Sequence, residues 1–196
     1  MADVQKCLCR FRLKKLNGGL SKEEADLLYI ALSTDTGCFC YANTTPDTLR
    51  AAAHLIECGA ENATLNTLLF RSSSFARLKL EGLIFASMRS YRQHKINVAV
   101  VTLDMMEQAG AVENDCEDLA SLPGRVSGNV VSITIRELAP GRSKASVRTN
   151  DQVDASAVCG RLGGGGHKMA SGCTVDVGPE ELADLLLQEV EKVWPA

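Results

Sequence analysis

Apolar residues along the chain change their spacing once. In the first half Ala25, Leu28, Tyr29 and Leu32 recur at helical intervals, one buried stripe for a helix predicted over 23–32. Ser21 with Glu24 three positions later reads as a capping box at its start. Residues 33–37, Ser-Thr-Asp-Thr-Gly, are polar and predict a loop. Pro46 behind Thr45 suits the first turn of a second helix, which runs to Cys58 and stops at Gly59. Further helices are predicted over 64–70 and 75–91.

From Ile96 the period shortens. Residues 96–103 are apolar and β-branched, so they predict a buried strand. Residues 130–138 and 144–150 alternate around Ala-Pro-Gly-Arg-Ser at 139–143, which predicts a hairpin. On its second strand Ala145, Val147 and Thr149 share one face; Lys144, Ser146, Arg148 and Asn150 share the other, with Arg136 of the first strand on that polar side. A helix over 153–162, a strand over 172–177 and an amphipathic helix over 179–194 complete the pattern. The organisation is therefore α/β. A helical part, residues 1–92 with its linker helix 75–91, is joined to a smaller mixed-sheet α/β domain, residues 93–196.

Composition sharpens this in three ways. With 45% hydrophobic and 23% charged residues in 196, the chain can bury a core, which excludes disorder as its default. No run reaches the length of a membrane span and the first residues carry no signal-peptide core, so the expectation is a cytoplasmic protein with no membrane contact. Eight cysteines are too dilute for a disulfide scaffold and predict reduced thiols; Cys7/Cys9 and Cys38/Cys40 are spaced too tightly to be good zinc pairs. The net charge of −3 conceals an asymmetry: residues 122–172 hold seven basic against three acidic side chains, so an anion site is expected there.

Three features in the sequence could carry chemistry. Gly163 to Gly166, followed by His167 and Lys168, permits a nest of inward amides for a phosphate; the alternative is a hinge with a backbone role alone. Arg148 lies shortly before it, either a second phosphate ligand or a solvated surface residue. Asp35, in its Thr/Ser/Gly context, is either a turn-stabilising residue or a metal ligand.

Leu-Gly-Gly-Gly-Gly-His-Lys-Met-Ala-Ser-Gly at 162–172 resembles the signature of the substrate-binding domain of the DHH phosphoesterases, named for an Asp-His-His motif. Thr34 to Phe39, followed by Tyr41-Ala-Asn-Thr-Thr-Pro46, resembles the last metal-binding motif of the same family's catalytic domain. The likeness is to the branch of bacterial oligoribonucleases and phosphoadenosine-phosphate phosphatases, and more loosely to cyclic-dinucleotide phosphodiesterases. It implies that Asp35 binds a divalent metal, usually manganese, and that Arg148, Gly164, Gly165, Gly166 and His167 hold the phosphate and sugar of a short oligonucleotide or nucleotide phosphate. The family's Asp-x-Asp and Asp-His-His motifs are absent from this sequence, and Met1 to Arg12 do not resemble the family. The resemblance therefore implies a nucleotide-binding C-terminal portion of a phosphoesterase with little or no activity alone, completed by an N-terminal chain, with a homodimer as a further partner reading. The alternatives are a stand-alone module for nucleotides or single-stranded nucleic acid, a cyclic-dinucleotide phosphodiesterase fragment, and a fragment without function.

Overall fold

The computed structural model describes residues 19–195. Cys7, Cys9 and Met1 to Arg12 lie outside them. The chain divides into two compact units, one ending at Ser72 and one starting at Ser73.

The described residues of the first unit form three helices: α1 (Lys22–Asp35), α2 (Pro46–Glu57) and α3 (Asn62–Phe70). The capping box at the start of α1 is present in both directions, with Glu24 N donating to Ser21 Oγ at 3.2 Å and Ser21 N donating to the Glu24 carboxylate at 2.8 Å. Thr45 caps α2 in the same way with Pro46 in its first turn, and Gly59 follows its end at φ +101°. Ala25, Tyr29, Leu32, Ala52, Leu55 and Ala60 form the core, the face that the spacing in α1 predicts. One boundary differs. The helix does not stop at Leu32 but runs to Asp35, closed by the Thr36 amide on the Leu32 carbonyl, and the Thr34 and Thr36 hydroxyls are satisfied by bonding back to the Ile30 and Leu32 carbonyls.

The second unit is built on one six-stranded sheet in the order β1-β2-β3-β4-β6-β5. The strands are β1 (Arg89–Tyr91), β2 (Ile96–Val101), β3 (Val131–Ala139), β4 (Arg142–Thr149), β5 (Gly165–His167) and β6 (Ala170–Val175). Only β2 and β3 pair in parallel, across a connection that contains α5 (Leu103–Ala109) and three short 3-10 turns. The α4 helix (Phe75–Ser87) ends before the expected position because Arg89 to Tyr91 leave it to pair with β2 as a three-residue edge strand. α4 packs within this unit, where Leu80 and Ile84 join Ala99 and Val101 of β2.

On the opposite face, Val131, Ile133, Ile135, Ala145 and Val147 are buried beneath α6 (Ala155–Gly160) and α7 (Pro179–Val193), which bring Val158, Leu182, Leu186 and Val190. Alternation in β3 and β4 thus divides the hairpin as expected. Helix α6 is shorter than the predicted 153–162, and β6 begins two residues before the predicted 172. No helix among the described residues is long and apolar enough to cross a membrane.

Candidate functional site

The face of the sheet that carries Arg148 is covered at β3, where Ser132 and Thr134 are buried, and open from β4 outward; register defines its rows. Ser132 of β3 lies opposite Arg148 of β4, Arg148 opposite Ala170 of β6, and Ala170 opposite His167 of β5. Directly paired residues project to the same side of a sheet. Arg148 and His167 therefore stand in one cross-strand row, two strand spacings or about 10 Å apart at the backbone, and both are exposed. The next row is Thr134, Ser146, Gly172 and Gly165; the one after it begins with Arg136, Lys144 and Thr174. Between the bases the floor is made of small residues, Ala170, Gly172, Gly165 and Ser146, so nothing bulky stands over the sheet at that point.

The glycine run serves this face differently from an amide nest. Gly163 N donates to the Gly160 carbonyl at 3.2 Å and Gly164 N to the Cys159 carbonyl at 2.9 Å, so these two amides are already committed. Gly165 to His167 then pair with β6 as a strand. What requires glycine is close approach. A Cβ on Gly164 would collide with the Gly172 carbonyl and the Cys173 side chain, and one on Gly166, at φ +152°, would lie 2.5 Å from the Ala170 carbonyl. Gly165 has open space on its side of the strand. The run lets a narrow edge strand press onto β6 and turns His167 outward beside Arg148. The nest reading is replaced by a steric one.

Beneath the hairpin, Cys159 of α6 and Cys173 of β6 are buried neighbours. The Cys173 thiol bonds toward Cys159 and makes it the more acidic of the two, with the Arg148 charge helping and burial opposing. Cys173 is pushed up, by that same partner and by burial. At the start of α6 Asp154 accepts from Ser156 Oγ at 2.6 Å and from the amides of Ser156 and Ala157. These bonds, the serine hydroxyl foremost, hold its carboxyl below the usual carboxylate range.

Two cavities border the basic face. One, of about 280 Å³, includes Arg136, Lys144 and Ser146, but also Glu113, Glu117 and Asp118, and Arg136 is paired with Glu113 at 2.6 Å. The other, of about 390 Å³, is floored by Ser132 and Arg148 and walled by Arg125, Asn129 and Asn150, with no carboxylate in its lining. Sequence alone flagged Ser146 through alternation and counted Arg125 among the bases of the region. It did not single out Arg125, Asn129 or the small-residue floor, because their grouping depends on cross-strand register and on the path of the 3-10 turns.

Asp35 belongs to the first unit, as the last residue of α1 rather than a loop residue. After it, Gly37, Cys38 and Phe39 all have positive φ, a single left-handed turn. Gly37 is obligatory there, since a Cβ would run into the Tyr41 ring. Asn43 Nδ2 donates to the Asp35 carbonyl at 3.1 Å. The carboxylate atom Oδ2 of Asp35 is buried and has no hydrogen-bond partner among the described residues. An orphaned carboxylate oxygen suits a cation. Yet no group of three or more His, Cys, Asp or Glu that could hold a metal ion occurs among the described residues, Cys38 and Cys40 included. Those residues do not make a metal centre by themselves.

Comparison with known proteins places the second unit. A family model described as the DHHA1 domain matches residues 84–194. The chain is 38% identical over 154 residues to a bifunctional oligoribonuclease and PAP phosphatase NrnA of Thermus thermophilus, covering 78% of this chain and 45% of that protein. It is 27% identical over 172 residues to the protein of the same name from Bacillus subtilis, covering 88% of this chain and 53% of the relative. The chain thus spans about half the length of these curated relatives. Among solved structures, an exopolyphosphatase-related protein from Bacteroides fragilis superposes with a TM-score of 0.80 at 24% identity, over 88% of this chain and 51% of that one. That likeness extends the agreement in fold to a mixed α/β architecture.

Proposed function

The chain belongs to the DHHA1 domain family, and from that premise we propose that its second unit binds the phosphate and sugar of a short oligonucleotide or nucleotide phosphate, as the C-terminal portion of a metal-dependent phosphoesterase. The observation that carries the proposal is the cross-strand row of Arg148 and His167 over a floor of small residues. A guanidinium presents parallel N–H donors that match two oxygens of one phosphate. An imidazole on the next strand but one supplies a further donor from the edge side. Long side chains from positions about 10 Å apart can converge on one phosphate between them. The floor at Gly165, Gly172 and Ala170 leaves room for a sugar ring to lie close to the backbone.

The relatives named as oligoribonucleases and PAP phosphatases support this ligand class. In this reading Asp35 contributes one oxygen ligand to a divalent-metal centre, with manganese as the expected ion, and the remaining ligands come from residues other than those described. Such a metal would activate water and screen charge on the phosphoester. The chain's own residues bind and orient. Acting alone it binds nucleotide with little or no hydrolysis, because one carboxylate cannot fix a catalytic metal geometry.

The experiment has two arms. Calorimetry of the chain with the dinucleotide pApA in chelator should show binding that weakens as salt rises. An assay with manganese should then show no more than trace hydrolysis by the chain and restored hydrolysis when a polypeptide bearing the family's N-terminal motifs is added. Absence of nucleotide binding, or full hydrolysis by the chain alone, contradicts the reading.

A further inference from the structure

In the cavity of about 390 Å³ beside Arg148 the guanidinium and amide groups present donors, while the hydroxyls of Ser121, Ser132 and Thr149 already donate to backbone carbonyls. The internal bonding of its two asparagines determines which end each amide presents. Asn150 Oδ1 accepts from the amide of Gln152 at 3.0 Å, so its carbonyl is occupied and its NH₂ group is the free end. Asn129 Oδ1 accepts from Asn97 Nδ2 at 2.8 Å, and Asn97 is itself oriented by donating to the His94 carbonyl and accepting from Ser90 Oγ. That chain of bonds leaves Asn129 also with its NH₂ to give. Arg125 is exposed and forms no ion pair with the described residues, and Arg148 donates only to a backbone carbonyl among them. Two guanidiniums and two primary amides without a carboxylate among them suit an anion.

The position of the cavity says which anion. Ser132 and Arg148 belong to both the cavity floor and the row that ends at His167. Gly124 approaches Ser132, with a Cβ on it falling 3.5 Å from the Ser132 hydroxyl, so Arg125 enters from the β3 side of Arg148 while His167 stands on the β5 side. From Ser132 to His167 is three strand spacings, about 14 Å. One phosphate cannot occupy both ends. We propose that the Arg125 cavity is a second phosphate subsite, in which Arg125 with the amides of Asn129 and Asn150 holds a further phosphate of the nucleotide whose first phosphate lies between Arg148 and His167. This rests on the reading of the Arg148–His167 face given above. It makes Arg125 the residue that distinguishes ligands with two phosphates from those with one. The neighbouring cavity at Arg136 is unsuited to the role, because Glu113, Glu117 and Asp118 share its wall.

The test is calorimetry in chelator of the wild-type chain and Arg125→Gln, with adenosine 5′-monophosphate, adenosine 3′,5′-bisphosphate and pApA as ligands. Loss of the charged fork should weaken the two-phosphate ligands on the order of tenfold or more and leave the monophosphate within about twofold. A loss on both two-phosphate ligands assigns the subsite to a phosphate that either can place there. A loss on pApA alone assigns it to the internucleotide phosphate. Arg125→Lys, which keeps the charge without the fork, should recover part of the affinity. An equal loss on all three ligands, or none on any, overturns the subsite and leaves the Arg148–His167 reading standing. A wild-type chain that binds none of the three overturns both.

Discussion

Gly164, Gly165 and Gly166 do not share one physical duty. Gly164 and Gly166 admit no Cβ because the β6 backbone occupies that space, whereas Gly165 faces the open side. Gly164→Ala is therefore expected to disrupt the β5–β6 hairpin, with a lowered melting temperature and loss of nucleotide binding. Gly165→Ala should fold with an unchanged circular dichroism spectrum but bind nucleotide more weakly, since its methyl group rises from the floor between Arg148 and His167. Sequence composition could not separate these cases. A run of glycines has no side-chain period, and only the register Gly165 opposite Gly172 and His167 opposite Ala170 reveals which positions are crowded. Asp35 shows a similar limit: its neighbours Thr34 and Thr36 look like loop residues, yet the helix runs on through Asp35 and their hydroxyls are satisfied by the carbonyls of the preceding turn.

Among the elements, the β3–β4 hairpin was legible in advance because a half-buried strand enforces a period of two, and Ala145 and Val147 against Lys144, Ser146 and Arg148 display it fully. The edge strands β1 and β5 were not, since three residues carry no period and exist as strands only through their partners. Helix α6 occupies an intermediate place. It has six residues, and its start depends on the Asp154 carboxylate, which accepts from Ser156 and Ala157 while the Ala155 amide donates to the Lys168 carbonyl beside the glycine hairpin. A carboxyl whose folded pKa is lowered contributes stability above its unfolded pKa and loses it as pH falls through the folded value. The Asp154 contribution is thus present at neutral pH and lost below about pH 4. Asp154→Asn should flatten the acid limb of the stability profile, with the wild type and the variant converging at low pH in denaturant titrations. Parallel curves across that range would show that the carboxylate charge does not hold the start of α6.

At the scale of the molecule, the second unit has a sheet with a core on both faces of β2, while the part of the sheet formed by β4, β6 and β5 is left open on the side of Arg148. Local charge counting located this region, because seven bases between residues 122 and 172 stand out in a chain of net charge −3. It could not divide them by role: Arg136 is neutralised by Glu113 and Arg161 lies near Glu189 at 3.5 Å, whereas Arg148 and Arg125 have no acidic partner among the described residues. The most direct test is a double-mutant cycle on pApA affinity with Arg148→Ala, His167→Ala and both together. If the two side chains hold one phosphate, each single change weakens binding strongly and the double change costs less than the sum, with a coupling of about 0.5–3 kcal/mol. Additive effects, or wild-type affinity in either single variant, would contradict a shared phosphate on this face.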